Sequence, residues 1–195
     1  MKIMFILTLI ILGLFFIVKH WSFKKAFSFP FRKKIRIVPY NPSWPKIFEE
    51  EKEPIKQALG DNCIEVHHFG STSIPGMSAK PKIDVLAVVI DLSSINLEKL
   101  EKLGFVSRGE VIPTGRYFTK KLMNHIHLHV FQKGNPLIQD NLLFRDYLRT
   151  HESDKQAYIK LKNELARQFC TEEALLFSDG KSSFVKEIIE KAKKS

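Results

Sequence analysis

From His67 to Asp84 the chain reads HHFGSTSIPGMSAKPKID, with Gly70, Ser71, Thr72 and Ser73 directly after one apolar run and a carboxylate on the next. A glycine lets the backbone approach a ligand closely, and exposed N–H groups beside hydroxyls hold phosphate oxygens. A nearby carboxylate such as Asp84 suits a divalent ion that bridges phosphates. By itself the loop is equally an ordinary turn leaving a strand.

A second group of residues can act with the first. In His125-Ile126-His127-Leu128-His129-Val130 the period of two puts three histidines on one strand face and three apolar residues on the other. Glu65 and His67 share a face by the same rule, and His68 points the opposite way. Where these faces converge on Asp84, then Asp84, His67, His127 and His129 offer nitrogen and carboxylate ligands, a set that favours zinc, manganese or iron over magnesium. The solvent side of a sheet gives the same pattern, as do buried histidines with backbone partners. Lys80, Lys82, Arg116, Lys120, Arg145 and Lys181 are the cations placed to meet phosphate, arginine as a fork and lysine as a point charge.

The elements that must position these residues are legible from periodicity. Asn41-Pro42-Ser43-Trp44-Pro45 reads as a turn with Ser43 as helix cap, and the helix runs to Leu59 and stops at Gly60. Strands are predicted over 63–69, 82–90, 105–111, 117–123 and 125–132, with a short helix over 97–103. After Gly134 the apolar spacing turns helical. The Leu142/Phe144/Leu148 and Tyr158/Leu161/Leu165 stripes read as core. The order is that of an α+β domain with a mixed sheet, flanking helices and a C-terminal helical part.

Gly70-Ser71 with Asp84 thirteen residues on resembles the signature of the nucleotidyltransferase superfamily. The wider segments VPYNPSWPKIFEEE (38–51), ALGDNCIEVHHFGSTSIPGMSAKPKIDVL (58–86), LEKLGF (100–105), HIHLHV (125–130), LLFRDYLRTH (142–151) and KSSFVKEII (181–189) resemble the GrpB family over about residues 35–193. The resemblance implies a nucleotidyltransferase-like fold, and relatives fused to dephospho-coenzyme A kinase. It also implies roles. Gly70, Ser71, Thr72, Ser73, Lys80, Arg145 and Lys181 would hold a nucleotide triphosphate, and Asp84 with His127, His129 or His67 would hold a divalent ion (Mg, Mn or Zn). Lys82 or Arg116 would offset developing charge. Active superfamily members carry two aspartates one residue apart, whereas here the position two after Asp84 is Leu86.

Composition limits the rest. The chain has 195 residues, 31 Lys+Arg against 21 Asp+Glu, and two cysteines, too few for a disulfide framework or a four-thiolate zinc site. Residues 1–36 hold eight of the cations and no acid, which leaves 23 basic against 21 acidic residues. The remainder is nearly neutral, so no specific nucleic-acid partner is expected. Ile3 to Val18 carries no charge, and Lys19, Lys24, Lys25, Arg32, Lys33, Lys34 and Arg36 follow. That order predicts one membrane helix in the inner or plasma membrane, with the domain facing the cytoplasm.

The expected organisation is thus 1–20 a transmembrane anchor, 21–34 a basic juxtamembrane linker and 35–195 the folded domain. Three functions fit: metal-dependent nucleotidyl or phosphoryl transfer to an acceptor the sequence does not name, a non-catalytic nucleotide- or coenzyme-binding accessory module with a protein partner, and a His/Asp metallohydrolase.

Overall fold

The computed structural model describes residues 34–110, 114–120 and 125–195. Lys34–Ser195 forms one compact unit. The expected anchor and linker, residues 1–33, lie outside the described residues, and among those described no helix is long and apolar enough to cross a membrane.

Helix α1 (Ser43–Leu59) ends where predicted, at Gly60 with φ 60°. Ser43 is not its cap. Ser43 opens the helix, and Asn41 Oδ1 accepts from both the Ser43 N–H and its hydroxyl at 2.9 Å. Strand β1 (Cys63–Phe69) leads into the loop 70–81, and β2 (Lys82–Val89) follows. Next come α2 (Leu97–Lys102), β3 (Val106–Ser107), β4 (Gly115–Lys120) and β5 (His125–Gln132). Of the strand predicted over 105–111, Val106–Ser107 forms among the described residues, and residue 111 lies outside them. Gly109 takes φ 80°, so the chain turns out of the ladder soon after Ser107. Four helices close the chain: α3 (Pro136–Thr150), α4 (Glu152–Gln168), α5 (Ala174–Asp179) and α6 (Ser182–Ala192).

The sheet has the order β1-β2-β5-β4-β3. β2 and β5 are parallel and every other pair is antiparallel, so the sheet is mixed as expected. Alternation then gives two unlike faces. Ile83, Val85, Ala87 and Val89 of β2 and Ile126, Leu128 and Val130 of β5 pack with Trp44, Phe48, Ile55 and Leu59 of α1. On the other face Phe69, Leu86, Val88 and Phe131 meet Leu137 and Ile138 of α3. That apolar cover stops short of the starts of β2 and β5, where Asp84 and His127 lie side by side.

The loop is anchored by its own side chains. Ile74 and Met77 have no exposed surface and sit among Phe144, Leu148, Tyr158 and Ile188 of the helices. Burial of this kind stabilises by about 1.5–3 kcal/mol per side chain.

His68, on the α1 face, is buried and stacked on Phe48 with ring centroids 5.0 Å apart. Thr72 Oγ1 donates to the Lys82 carbonyl at 3.0 Å, so it accepts from the His68 Nε2–H at 3.1 Å, which puts the proton of the neutral ring on Nε2. Burial, opposed by Asp84 and helped by Arg149 and Arg145, pushes its pKa from 6.5 down to about 4. Between those two values the unfolded chain binds a proton that the folded chain refuses. Stability therefore falls as pH falls through that window, by at most about 1.4 kcal/mol per pH unit. His68→Phe, which keeps the stack and removes the titration, is expected to shrink the stability difference between pH 7 and pH 5 by about 1–2 kcal/mol in urea unfolding. An unchanged difference would place the acid sensitivity elsewhere.

Candidate functional site

The register sets Asp84 opposite His127 and Leu86 opposite His129, so the four side chains share one face. One ligand atom each from Asp84, His127 and His129 lies within 4.8 Å of the others. His127 Nδ1 is 3.5 Å from Asp84 Oδ1. His129 is held edge-on by Phe69 at 5.1 Å between ring centroids, with Tyr117 at 4.8 Å. Burial keeps the His129 pKa below its ordinary value, so the ring is neutral near pH 7 and free to bind a cation through nitrogen. Burial, reinforced by Asp84, lifts the Tyr117 phenol to about 12.

Gly70 is part of this arrangement through what it lacks. A Cβ there would lie 2.6 Å from Asp84 Oδ2. Its backbone, at φ 70° and ψ −174°, is in a region that only glycine adopts readily.

Beside the three ligands opens a cleft of about 340 Å³ bordered by Ser71, Lys80, Lys82, Lys162, Lys181 and Asp84. Lys80 Nζ and Lys181 Nζ lie 3.8 and 4.7 Å from the centroid of the Phe177 ring. Lys162 Nζ donates to the Ser78 carbonyl at 2.6 Å and to Ser71 Oγ at 3.1 Å. Burial, followed by Lys181, lowers the Lys162 pKa to about 7. Burial also takes Lys80 to about 8, with Lys181 and Lys82 adding to the shift, and lowers Lys181. Amines crowded into a half-dry cleft resist charging until an anion arrives, so a bound polyanion and these ammonium groups would stabilise each other.

The predicted site residues divide by position. Gly70, Ser71, Asp84, Lys80, Lys82, Lys181, His127 and His129 come together. Thr72 and Ser73 are buried with their hydroxyls committed to the Lys82 and Gly70 carbonyls, so these hydroxyls build the loop, although Thr72 also borders the cleft. His67 is on the right face but pairs with Glu65 at 2.7 Å, outside the three-ligand cluster. Arg116 falls on the opposite face with Phe118, because its register partner is Val130. Lys120 shares that face and forks onto both Glu51 oxygens at 2.9 Å. Arg145 forks onto Asp146 and donates to the His68 carbonyl, so it braces the end of β1.

Sequence reading missed a set of cations that hold the loop from α3 and α4. Arg149 donates to the Ser73 carbonyl, Lys155 to Pro75 and Lys162 to Ser78. With Arg145 on His68, these four cations each grip a backbone oxygen. The signal was present in α4: Lys155, Tyr158, Lys162 and Leu165 follow the spacing of one buried stripe, and two lysines on such a stripe need internal partners.

A family model described as GrpB protein matches residues 34–191. The chain is 38% identical over 167 residues to UPF0157 protein YqkA of Bacillus subtilis (strain 168), a match covering 84% of this chain and 48% of that protein. It thus spans about half the length of that relative. It is also 38% identical over 169 residues to UPF0157 protein BH1888 of Halalkalibacterium halodurans, covering 84% and 85%. The crystal structure of conserved protein GrpB from Enterococcus faecalis superposes with a TM-score of 0.72 at 34% identity, covering 82% of this chain and 98% of that one.

Proposed function

The chain belongs to the GrpB family, and from that premise we propose that it binds a nucleotide or related polyphosphate with a divalent ion and transfers its nucleotidyl or phosphoryl group. The observation that carries this reading is the cluster of Asp84, His127 and His129, the first two of which line a cleft bordered by four lysines. One carboxylate and two imidazoles fit zinc or manganese better than magnesium. An ion held there would neutralise phosphate charge and polarise the phosphorus–oxygen bond.

The residues of the chain supply the rest. Lys80 and Lys181 neutralise phosphate oxygens as point charges, Lys82 lies beside Asp84 to balance charge that develops during transfer, and Ser71 lines the cleft floor. The uncharged run at residues 3–18 and the cations after it support holding this chemistry at the cytoplasmic face of a membrane.

A second reading, a binding module without turnover, is favoured by one observation. The place of a second carboxylate is filled by Leu86, which has no exposed surface. The metallohydrolase reading needs His67 at the centre, and its pairing with Glu65 argues against it.

Isothermal titration of the full chain with nucleoside triphosphates and coenzyme A, each with manganese, zinc or magnesium, tests the site. Metal-dependent binding is expected, weakened more than about a hundredfold in Asp84→Ala. Pyrophosphate or phosphate release in the same samples separates transfer from binding alone. Binding indifferent to metal and to Asp84 would sink the transfer reading and leave the binding module, and no binding under any metal would sink both.

A further inference from the structure

Ser71 has surroundings that phosphate binding alone does not require. Its Oγ accepts from Lys162 Nζ at 3.1 Å. Lys162 is 2% exposed, and its amine is oriented by the Ser78 carbonyl at 2.6 Å. Tyr158 is likewise buried, under the same amine at 4.7 Å from its ring centroid. No carboxylate hydrogen-bonds this amine among the described residues; its partners are a carbonyl and a hydroxyl. A buried lysine without an acid beside it is held close to its neutral form, and a neutral amine fixed 3.1 Å from a serine hydroxyl is a base in position to take that proton. Serine–lysine pairs perform nucleophilic catalysis on unrelated folds, recognised by geometry and role.

We propose that Ser71 is a nucleophile, with Lys162 as its base, that accepts a phosphoryl group from a phosphate ester or anhydride lying in the cleft. The inference rests on the reading above for the phosphorylated class of substrate. Ser71 Oγ forms a bond to phosphorus as the bond from phosphorus to the leaving oxygen breaks. The hydroxyl proton passes to Lys162 Nζ, and the resulting ammonium returns it to the departing oxygen. Water or an acceptor hydroxyl then attacks the phosphorus, the Oγ–P bond breaks, and the attacking group's proton passes through Lys162 Nζ to Ser71 Oγ, restoring both residues. Nothing is oxidised or reduced. Lys80 and Lys181, beside the Phe177 ring, stand where the remaining phosphate oxygens would be neutralised.

A fluorophosphonate tests this, because it presents electrophilic phosphorus without a metal or a nucleotide. The Oγ–P bond forms, the P–F bond breaks, and the adduct is located by peptide mass spectrometry on the full chain. One adduct is expected at Ser71, absent in Ser71→Ala. Its rate is expected to drop at least tenfold in Lys162→Met, which fills the same space, and in Lys162→Arg, which cannot give up its proton. In the unaltered protein the rate should rise through about pH 7, where Lys162 loses its proton. The groups sharing the cleft with that amine are Lys181 at the head of α6, Lys80, Lys82, Asp84 and His127, and Tyr158 stands beside it on its own helix.

No adduct at Ser71 in a protein that unfolds cooperatively would overturn the proposal, as would equal rates in folded Lys162 variants. If those variants do not fold, the pH profile decides, and a rate flat from pH 6 to 9 overturns it. The titration of the preceding subsection keeps the two ideas apart. Metal-dependent nucleotide binding without labelling removes only the nucleophile, and labelling without such binding removes only the metal-dependent reading.

Discussion

Gly70→Ala is expected to lose about 1–3 kcal/mol of stability and most of its affinity for a divalent ion, two losses with one cause. The strain comes from φ 70° and ψ −174°, and the loss of ligand geometry from a Cβ placed 2.6 Å from Asp84 Oδ2. Neither the backbone of β1 nor the paired β2 can retreat, since Phe69 and Asp84 are register partners in the ladder. The side chain of Asp84 must turn instead, away from His127 Nδ1. Gly109→Ala is the matched control. It has φ 80° and nothing within 4 Å of an added Cβ, so it carries the backbone strain without the clash. Urea unfolding and a manganese or zinc titration of both variants separate the terms. Should Gly70→Ala bind the ion as the parent does, the close approach of Gly70 to Asp84 has no bearing on the site.

Leu86→Asp is expected to destabilise the domain by about 4 kcal/mol or more, and not to restore a two-carboxylate centre. Leu86 has no exposed surface and touches the cluster of Phe69, Val88 and Phe131 beneath α3. The substitution removes apolar volume and puts a carboxylate against hydrocarbon, with the His67 and His129 rings on the two neighbouring strands as its polar company. Ionisation there is opposed by desolvation, so the new group would stay protonated near neutral pH and be a poor metal ligand. A variant with the parent's urea midpoint and tighter metal binding would refute this. The result bears on chemistry, because it separates a site that merely lacks an aspartate from one whose packing excludes it.

What could be read in advance follows from the range of the forces. The near-continuous apolar run of β2 and the period-two alternation of His125–Val130 are local patterns, and both strands formed with the expected faces. The convergence of Asp84 with His127 and His129 was therefore legible once those strands were paired. Arg116 was not, because the face a β4 residue takes depends on its register against β5, and the alternation of its own strand is silent on that. Arg149, Lys155 and Lys162 escaped for a different reason. Their partners lie 76 to 84 residues away, and a cation on an amphipathic helix reads as solvated unless its place on the buried stripe is counted. Thr72 and Ser73 read as phosphate contacts because a hydroxyl's type does not reveal whether a backbone carbonyl, here of Lys82 or Gly70, has claimed it.

The grip of α3 and α4 on the segment after β1 falls on main-chain oxygens of His68, Ser73, Pro75 and Ser78. Carbonyls are common to all residues, so the instructions for that segment's path are written largely in helices far along the chain. Exchanging Pro75 or Ser78 for other small residues should leave the path intact, whereas removing Arg149 or Lys155 should release it. Sequence drift is thus cheap at Pro75 and Ser78 in the ligand-facing ribbon and costly at Arg149 and Lys155, which touch no ligand, an inversion at these positions of the usual map of what a binding loop can vary.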